Sequence, residues 1–186
     1  MRSDIDRWND KYSNHSATTD IRPEPLLVNN ASLLSRKGNA LDLASGVCDN
    51  ALYLASLGYN SFAVDGSHTA LRFGKQKAAA NNLPLHCFVA DLDTNPLVEG
   101  YFDVVVVIKY LNRSLVNSIK SAVKQDGLLL FKTFNQRFLD EKPSFSADYV
   151  LNDGELSGWF LDWECVETND RKSNRSTQSY WLGRKS

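Results

Sequence analysis

Apolar runs of strand length alternate with amphipathic stretches of helix length along most of this chain. Five runs have the length and composition of buried strands, at residues 40–43, 61–64, 85–89, 102–108 and 128–134. Between them, apolar residues recur at helical spacing over residues 50–57, 69–81 and 113–123. Strands and helices that alternate in this way are typical of a parallel sheet covered by helices on both faces. The sequence therefore predicts an α/β fold.

The C-terminal part breaks this alternation. Asn152 precedes Glu155 by three residues, which is the spacing of a capping box and predicts a helix that runs through Phe160. Two strand-like runs follow at residues 163–167 and 178–182, separated by the polar segment TNDRKSNRST. These runs predict a terminal antiparallel hairpin, which makes the sheet mostly parallel and seven-stranded.

The length of the chain suits one domain with one hydrophobic core, and we expect residues 1–186 to form it. Residues 1–38 are rich in Asp, Asn and Ser but contain Trp8 and Tyr12. We expect them to form a helix and a loop that cover the domain. Ser67 is the expected N-cap of the second helix.

Charge and composition restrict the partners. The chain has 21 basic and 22 acidic residues, so no overall field attracts nucleic acid or anionic lipid. The longest apolar run, at residues 104–108, is too short to span a bilayer, and the N-terminus has no apolar signal core. Three cysteines without a C-x-x-C pair favour the reducing cytoplasm. We expect a soluble cytoplasmic monomer or homodimer whose partner is a small molecule, with no nucleic acid and no membrane.

Acidic residues stand where the predicted strands end, which is where ligands bind in an open α/β sheet. Asp65 ends the second strand about 20 residues after a glycine turn, the position of an acid that accepts both ribose hydroxyls of an adenosine. The alternative is a helix-capping or solvated aspartate. Asp91 ends the third strand, where its carboxylate or the adjacent backbone can receive the adenine amino group.

The turn after the first strand favours S-adenosylmethionine over a dinucleotide. It reads ASGVCDN and contains one glycine, Gly46, whereas a dinucleotide-binding turn needs G-x-G-x-x-G so that the backbone can close on pyrophosphate. Asp42 and Asp49 would repel pyrophosphate, and the ammonium and sulfonium groups of S-adenosylmethionine would be attracted to Asp42. Asp49 and Asn50 can also cap the next helix.

Several segments, taken in this order, resemble the class I S-adenosylmethionine-dependent methyltransferases, and within them the short TehB-like, tellurite-resistance-like group. The segments RWNDKYS and RPEPLLV resemble its N-terminal blocks, and ALDLASGVCDNALYLASLGYNSFAVDGS resembles the first cofactor motif with its acidic ribose position. The later segments that carry the resemblance are VADLDT, FDVVVVIKYLNRSL, DGLLLFKTFN and DYVLNDGEL. The resemblance implies a Rossmann-like class I methyltransferase fold. It also implies methyl transfer from S-adenosylmethionine to a small-molecule acceptor, with S-adenosylhomocysteine as the product.

The resemblance assigns roles to individual positions. The methionine part of the cofactor would be held by Asp42, Ala44 and Gly46, with Asn50 near the start of the helix. Asp65 would bind the ribose. The other implied positions are, for the adenine, Gly66, Ser67, Asp91 and Leu92; for the sulfonium region, Ile108 and Lys109; and for closure over the cofactor or the substrate, Trp8, Tyr12 and Arg22.

The turn departs from the G-x-G-x-G pattern that is usual in the family, because it has Ala44, Gly46 and Cys48. We expect Cys48 to adopt a backbone conformation that suits a residue with a side chain. The cysteine is either an oxidant-sensitive thiol with a lowered pKa or a small packing residue. The incomplete turn leaves an alternative function open, a sensor or assembly partner that binds S-adenosylmethionine without transferring its methyl group.

Tyr110, Asn112 and Arg113 follow the fourth strand and are the candidates for contact with the substrate. The alternatives are that Asn112 caps the next helix and that Arg113 lies in solvent. Methyl transfer depends largely on positioning, so a catalytic triad is not required. No metal site is expected, because no metal-ligand motif includes the scattered histidines His15, His68 and His86.

Overall fold

The computed structural model describes residues 2–13, 18–34, 37–94, 97–171 and 175–186. The chain divides into two compact units, Met1–Asn95 and Pro96–Ser186. The single-domain organisation stays a prediction. Within the described ranges, no helix is both long enough and apolar enough to cross a membrane. The same ranges contain no group of three or more His, Cys, Asp or Glu side chains that could hold a metal ion, and His15 lies outside them.

The first unit is built on three parallel strands with the second strand in the middle. Its helices and strands, in chain order, are α1 (Arg2–Ser13), α2 (Pro25–Asn29), β1 (Asn39–Leu43), α3 (Asp49–Ser56), β2 (Asn60–Asp65), α4 (His68–Ala80) and β3 (His86–Val89). Leu43 is paired with Val64, and Asp65 with Val89. The carboxyl ends of the three strands therefore lie at one edge, and the residues that follow them are neighbours.

Tight packing fixes the segment between β1 and α3 against α4. The buried cluster at this place consists of Cys48, Ala51, Leu52, Ala63, Leu71 and Ala78. The helix α4 begins where the sequence predicts, because the Ser67 hydroxyl accepts a hydrogen bond from the Ala70 N–H (3.1 Å). The predicted N-cap is thereby confirmed.

The second unit combines one parallel and two antiparallel strand pairings. Its helices and strands are β4 (Phe102–Ile108), α5 (Val116–Ala122), β5 (Val123–Phe134), α6 (Phe138–Glu141), α7 (Glu155–Trp159), β6 (Glu164–Thr168) and β7 (Gln178–Arg184). β4 and β5 are parallel, whereas β7 is antiparallel to both β5 and β6. Trp181 of β7 is buried and stacks on Phe160, with ring centroids 4.6 Å apart. The predicted C-terminal hairpin is confirmed.

Two predicted boundaries in the second unit are wrong. β5 begins at Val123, five residues before its predicted start, because Val123 pairs with Phe102 and the register then shifts across the polar residues 124–127. The predicted helix at 113–123 is divided into a 3₁₀ turn, Arg113–Leu115, followed by α5.

The predicted capping box forms only in part. The Glu155 carboxylate accepts a hydrogen bond from the Asn152 N–H (2.8 Å), but the residue at the N-cap is Gly154, in a left-handed conformation with φ 76°. The Asn152 side-chain oxygen instead accepts from the Gln136 amide (2.9 Å). Because that oxygen is occupied, it is not used to cap the helix.

Candidate functional site

The turn between β1 and α3 has an unusual backbone. Ala44, Gly46 and Cys48 all have positive φ angles, of 55°, 54° and 65°. Only glycine adopts this region without a steric penalty, so two of the three positions are strained. The expectation that Cys48 has a conformation suited to its side chain is therefore wrong. Strain of this kind persists only where the surrounding structure holds it in place.

The packing around Cys48 shows what holds this turn. Its side chain is completely buried and lies against Gly74 of α4. A Cβ atom at position 74 would lie 2.3 Å from the Cys48 sulfur, which is closer than atoms can approach. The glycine in the middle of α4 therefore makes room for the cysteine in the turn.

The Asp65 carboxylate joins the ends of β1 and β2. One oxygen accepts the Gly46 N–H (2.8 Å), and the other accepts the Ser67 N–H (2.8 Å). Burial raises the pKa of Asp65 above its ordinary value, although these two hydrogen bonds act in the opposite direction. Asp65 is thus neither a solvated residue nor the cap of α4, which is Ser67. Two carboxylate oxygens can together accept about four hydrogen bonds, so capacity remains for two ligand hydroxyls.

Asp42 lies beneath the turn and is almost completely buried. Its carboxylate accepts hydrogen bonds from the Ala51 N–H (3.1 Å) and from the side chain of Asn50 (3.4 Å). Burial raises the pKa of Asp42 to about 8. The Asn50 oxygen accepts the Glu24 N–H (2.8 Å), so Asn50 connects the turn to the N-terminal segment and does not cap α3.

The negative charge of Asp49, which was expected to repel pyrophosphate, is compensated by a neighbouring cation. Its carboxylate forms an ion pair with Lys77 of α4, with an N–O distance of 2.6 Å, and the Lys77 side chain is only 3% exposed. Lys77 therefore neutralises Asp49. The hydrogen bonds described for Asp42 and Asp65 come instead from backbone N–H groups and the Asn50 amide, which carry no charge.

The helix α1 covers this edge of the first unit. The Tyr12 hydroxyl lies 2.7 Å from the position that a Cβ atom of residue 46 would occupy. The side chain of Ile5 lies over Gly66, and the Asn9 oxygen accepts hydrogen bonds from the Ser67 hydroxyl (2.8 Å) and the Thr69 N–H (3.3 Å). These residues recur at helical spacing, which is the sequence signal that could have identified Ile5 and Asn9.

The two predicted aromatic residues of α1 lie side by side. The rings of Trp8 and Tyr12 stack with centroids 6.1 Å apart, and the Lys11 ammonium lies 4.2 Å from the Trp8 ring. Burial raises the pKa of Tyr12 to about 12, so its hydroxyl stays protonated at neutral pH. Arg22, by contrast, is not brought to the turn: its side chain is 76% exposed and forms an ion pair with Asp20.

The remaining positions of the first unit follow β2 and β3. The Ala90 N–H donates to the Asp65 carbonyl (3.1 Å), which holds the two strand ends together. Asp91 is half-buried and accepts the Asp93 N–H (3.0 Å), and Leu92 is buried. Asp65, Gly66, Ser67, Asp91 and Leu92 therefore follow neighbouring strand ends, as the sequence predicts.

The segment after β4 in the second unit is engaged in contacts of its own. Lys109 has a strained φ of 55°, and its N–H donates to the Lys132 carbonyl (2.8 Å). Ile108 and Tyr110 are half-buried. The Asn112 oxygen accepts the Ser114 N–H (3.0 Å), which is the capping role left open as an alternative.

Arg113 is exposed, as the alternative had it, but its guanidinium is bound to other parts of the second unit. Its guanidinium donates to both carboxylate oxygens of Glu155, at 2.6 and 2.9 Å. It also donates to the carbonyl oxygens of Asp148 (2.7 Å) and Val150 (2.9 Å). Arg113 thus anchors residues 148–155 to the segment after β4. Its partner is 42 residues away, so no local pattern could have identified this role.

Comparisons with known proteins identify the family of this chain. The family model for tellurite resistance protein TehB matches residues 4–177. A curated relative, the probable S-adenosyl-L-methionine-dependent methyltransferase TehB of Haemophilus influenzae, is 27% identical over 168 residues. That match covers 87% of this chain and 57% of the relative, so the chain spans little more than half of the relative's length.

Solved structures show the same fold. The crystal structure of TehB from Haemophilus influenzae has a TM-score of 0.76 at 24% identity, covering 96% of this chain and 67% of that chain. A TehB-like S-adenosylmethionine-dependent methyltransferase from Corynebacterium glutamicum has a TM-score of 0.65 at 16% identity and covers both chains completely. The predicted Rossmann-like methyltransferase fold is confirmed. The curated relatives are named as dependent on S-adenosyl-L-methionine, which is the predicted cofactor. The chain belongs to the TehB family of tellurite resistance proteins.

Proposed function

We propose that this chain transfers a methyl group from S-adenosylmethionine to a small-molecule acceptor. The observation that carries the proposal is the Asp65 carboxylate, held between the Gly46 and Ser67 N–H groups at the joined ends of β1 and β2. This is the position from which an acid binds the ribose of an adenosine. Family membership supports methyl transfer as the class of reaction. That the acceptor is a small molecule is part of the proposal.

The hydrogen bonds of the turn favour a cationic nucleoside over a pyrophosphate. A phosphate-binding turn needs free N–H groups that point at the ligand. Here the N–H groups of Gly46 and Ser67 donate to Asp65, and the Ala51 N–H donates to Asp42. A phosphate would have to displace the Asp65 carboxylate and would also meet its negative charge. The residues present therefore fit S-adenosylmethionine, whose sulfonium and ammonium groups are positive.

The residues of the first unit have distinct roles in this proposal. Asp65 accepts the ribose hydroxyls, and Asp91 with Leu92 borders the adenine, beside Gly66 and Ser67. Asp42, Ala44 and Gly46 hold the methionine end, and Asn50 positions Asp42. Trp8 and Tyr12 cover the cofactor from α1. The roles that the resemblance gives to Arg22, Ile108, Lys109 and Tyr110 stay predictions.

Positioning provides the catalytic effect in this proposal. When it is bound, the cofactor supplies an electrophilic methyl group on its sulfonium. The chain has to fix that group in line with the nucleophilic atom of the acceptor, and no acid or base is needed for a nucleophile that is already deprotonated. Tyr12 is a neutral phenol at neutral pH, and its raised pKa extends this state to alkaline pH, so its hydroxyl acts as a hydrogen-bonding group and not as a counter-ion.

The alternative, binding of S-adenosylmethionine without transfer, is less well supported, because the curated relatives are named as probable methyltransferases. The near-neutral charge supports a small acceptor over a nucleic acid. A cytoplasmic location and a monomeric or homodimeric state stay predictions.

Calorimetric titration with S-adenosylmethionine and with NAD tests the cofactor. We expect micromolar affinity for the first and no measurable heat with the second. Formation of S-adenosylhomocysteine over a panel of thiols, amines, carboxylates and chalcogen oxyanions then tests transfer. Binding of NAD in preference to S-adenosylmethionine would overturn the proposal. Tight cofactor binding with no turnover on any acceptor would favour the alternative.

A further inference from the structure

Two thiols from distant parts of the first unit meet beneath the candidate cofactor site. Cys48 belongs to the turn that precedes α3, and Cys87 lies in the middle of β3, where it is paired with Ala63 of β2. Cys87 packs against the buried cluster that contains Cys48. Each thiol also shifts the pKa of the other. The sulfur atoms are therefore already neighbours in the folded chain.

The environments of the two thiols differ in a way that assigns them separate roles. Cys48 is fully buried, and its interaction with the Cys87 thiol, together with burial, raises its pKa well above the ordinary value. Cys87 is only partly buried, and its pKa is lowered by the interaction with Cys48 and by the nearby Lys75. The thiolate is the reactive form of cysteine. Cys87 is thus the reactive and accessible member, and Cys48 is the protonated member behind it.

We propose that Cys48 and Cys87 form a dithiol modification site that a peroxide converts into a disulfide. In the first step, the Cys87 thiolate attacks one oxygen of hydrogen peroxide, the O–O bond breaks, and a sulfenic acid and hydroxide result. In the second step, the Cys48 sulfur attacks the Cys87 sulfur, the S–O bond breaks, and a second hydroxide leaves. The Cys48 proton and one solvent proton convert the two hydroxides to water. Two electrons pass from the sulfur atoms to the peroxide.

The disulfide has a consequence for the turn. The Cys48 sulfur now occupies the space beside Gly74 and contacts the carbonyl oxygen of Gly46 at 3.7 Å. A bond to Cys87 draws that sulfur towards β3, because disulfide-bonded sulfur atoms lie about 2 Å apart. The backbone of residues 46–48 has to follow, and this moves the Gly46 N–H away from Asp65. Oxidation therefore weakens binding of S-adenosylmethionine, an effect that rests on the proposed function.

The disulfide itself is tested without any cofactor. The protein is exposed to hydrogen peroxide, quenched with an alkylating reagent and digested, and its peptides are weighed. We expect one intramolecular crosslink between the peptides of Cys48 and Cys87, with loss of two hydrogens, and its reversal by dithiothreitol. The matched control is Cys165→Ser, which removes the exposed cysteine of the second unit and should leave the crosslink intact. Cys87→Ser should abolish it.

Three outcomes would overturn the proposal. The first is that Cys48 and Cys87 stay reduced under exposure that oxidises Cys165. The second is that Cys165→Ser removes the two-hydrogen loss. In the oxidised Cys165→Ser protein we expect affinity for S-adenosylmethionine to be about tenfold weaker. The third outcome is an unchanged affinity, which would show that the disulfide does not move the turn. If the reduced protein does not bind S-adenosylmethionine, the proposed function fails, and the mass measurement still decides whether the thiol site exists.

Discussion

Replacement of Asp65 by alanine tests the assignment of the ribose contact. The change removes the carboxylate that accepts the Gly46 and Ser67 N–H groups and that we assign to two ribose hydroxyls. Hydrogen bonds to a charged acceptor contribute about 1.5–3 kcal/mol each. Two such bonds at the lower limit amount to about 3 kcal/mol, or a roughly hundredfold loss of affinity.

The assay is calorimetric titration of S-adenosylmethionine, combined with thermal unfolding of the free protein. Asp93→Ala is the matched control, because it removes an exposed carboxylate that follows the neighbouring strand β3. Asp65→Ala also leaves two backbone N–H groups without their acceptor, so some loss of stability is expected. Asp65→Asn keeps the shape and one acceptor oxygen, so it should lose less stability than Asp65→Ala and should lose affinity by about tenfold.

One result would refute the reasoning. If Asp65→Ala and Asp65→Asn both fold and bind S-adenosylmethionine as tightly as the unmodified chain, Asp65 does not hold the ribose. If Asp93→Ala loses as much affinity as Asp65→Ala, the effect comes from general charge and not from a specific contact.

The other predictions concern the packing of Gly74 and Cys48, the protonation of Asp42 and the contacts of Arg113. Gly74→Ala should lower the free energy of unfolding by about 2 kcal/mol, because its methyl group collides with Cys48. Adding Cys48→Gly to this variant should recover most of the loss in urea unfolding. If the two losses simply add, the side chains at positions 48 and 74 do not compete for the same space. Cys48→Gly alone should keep or tighten S-adenosylmethionine binding in calorimetry because it relieves the strained φ, and a large loss would mean that the side chain is needed. The pKa of Asp42 is raised from 3.8 to about 8, so the stability that its proton provides is full at low pH and is lost as pH rises to about 8. Asp42→Asn should remove that part of the pH dependence of urea unfolding, and parallel curves would contradict it. Arg113→Lys should lower the melting temperature by roughly 3 °C, because an ammonium cannot donate to Glu155 and to both backbone carbonyls at once. An unchanged melting temperature would mean that these contacts of Arg113 do not stabilise the fold.

The positions of the strands along the chain and the residues at their ends could be predicted from the sequence, because both depend on local pattern. Short apolar runs identified the strands, and the position of Asp65 after β2 identified the candidate ribose contact. Parallel pairing then brings such residues to one edge without further information. Ser67 could be predicted as a cap for the same reason, since capping depends on residues three positions apart.

The contacts between distant elements could not be predicted in this way. The ion pair of Asp49 with Lys77 joins residues 28 apart, and its formation depends on how α3 packs on α4. The strained turn at Cys48 depends on the space beside Gly74. A glycine inside a helix usually has a packing reason, so the sequence indicates a close contact at Gly74. It does not indicate that the contact is with Cys48.

The way in which α1 covers the turn has a consequence for the speed of ligand exchange. Ile5, Tyr12 and the two hydrogen bonds of Asn9 connect this helix to the strand ends, and none of residues 5–13 is fully buried. Segments whose side chains are so little buried open locally at a much lower cost than global unfolding. A ligand would then enter and leave at the rate at which α1 opens. The residence time of the ligand would be set by α1, and its affinity by the contacts at the strand ends beneath α1.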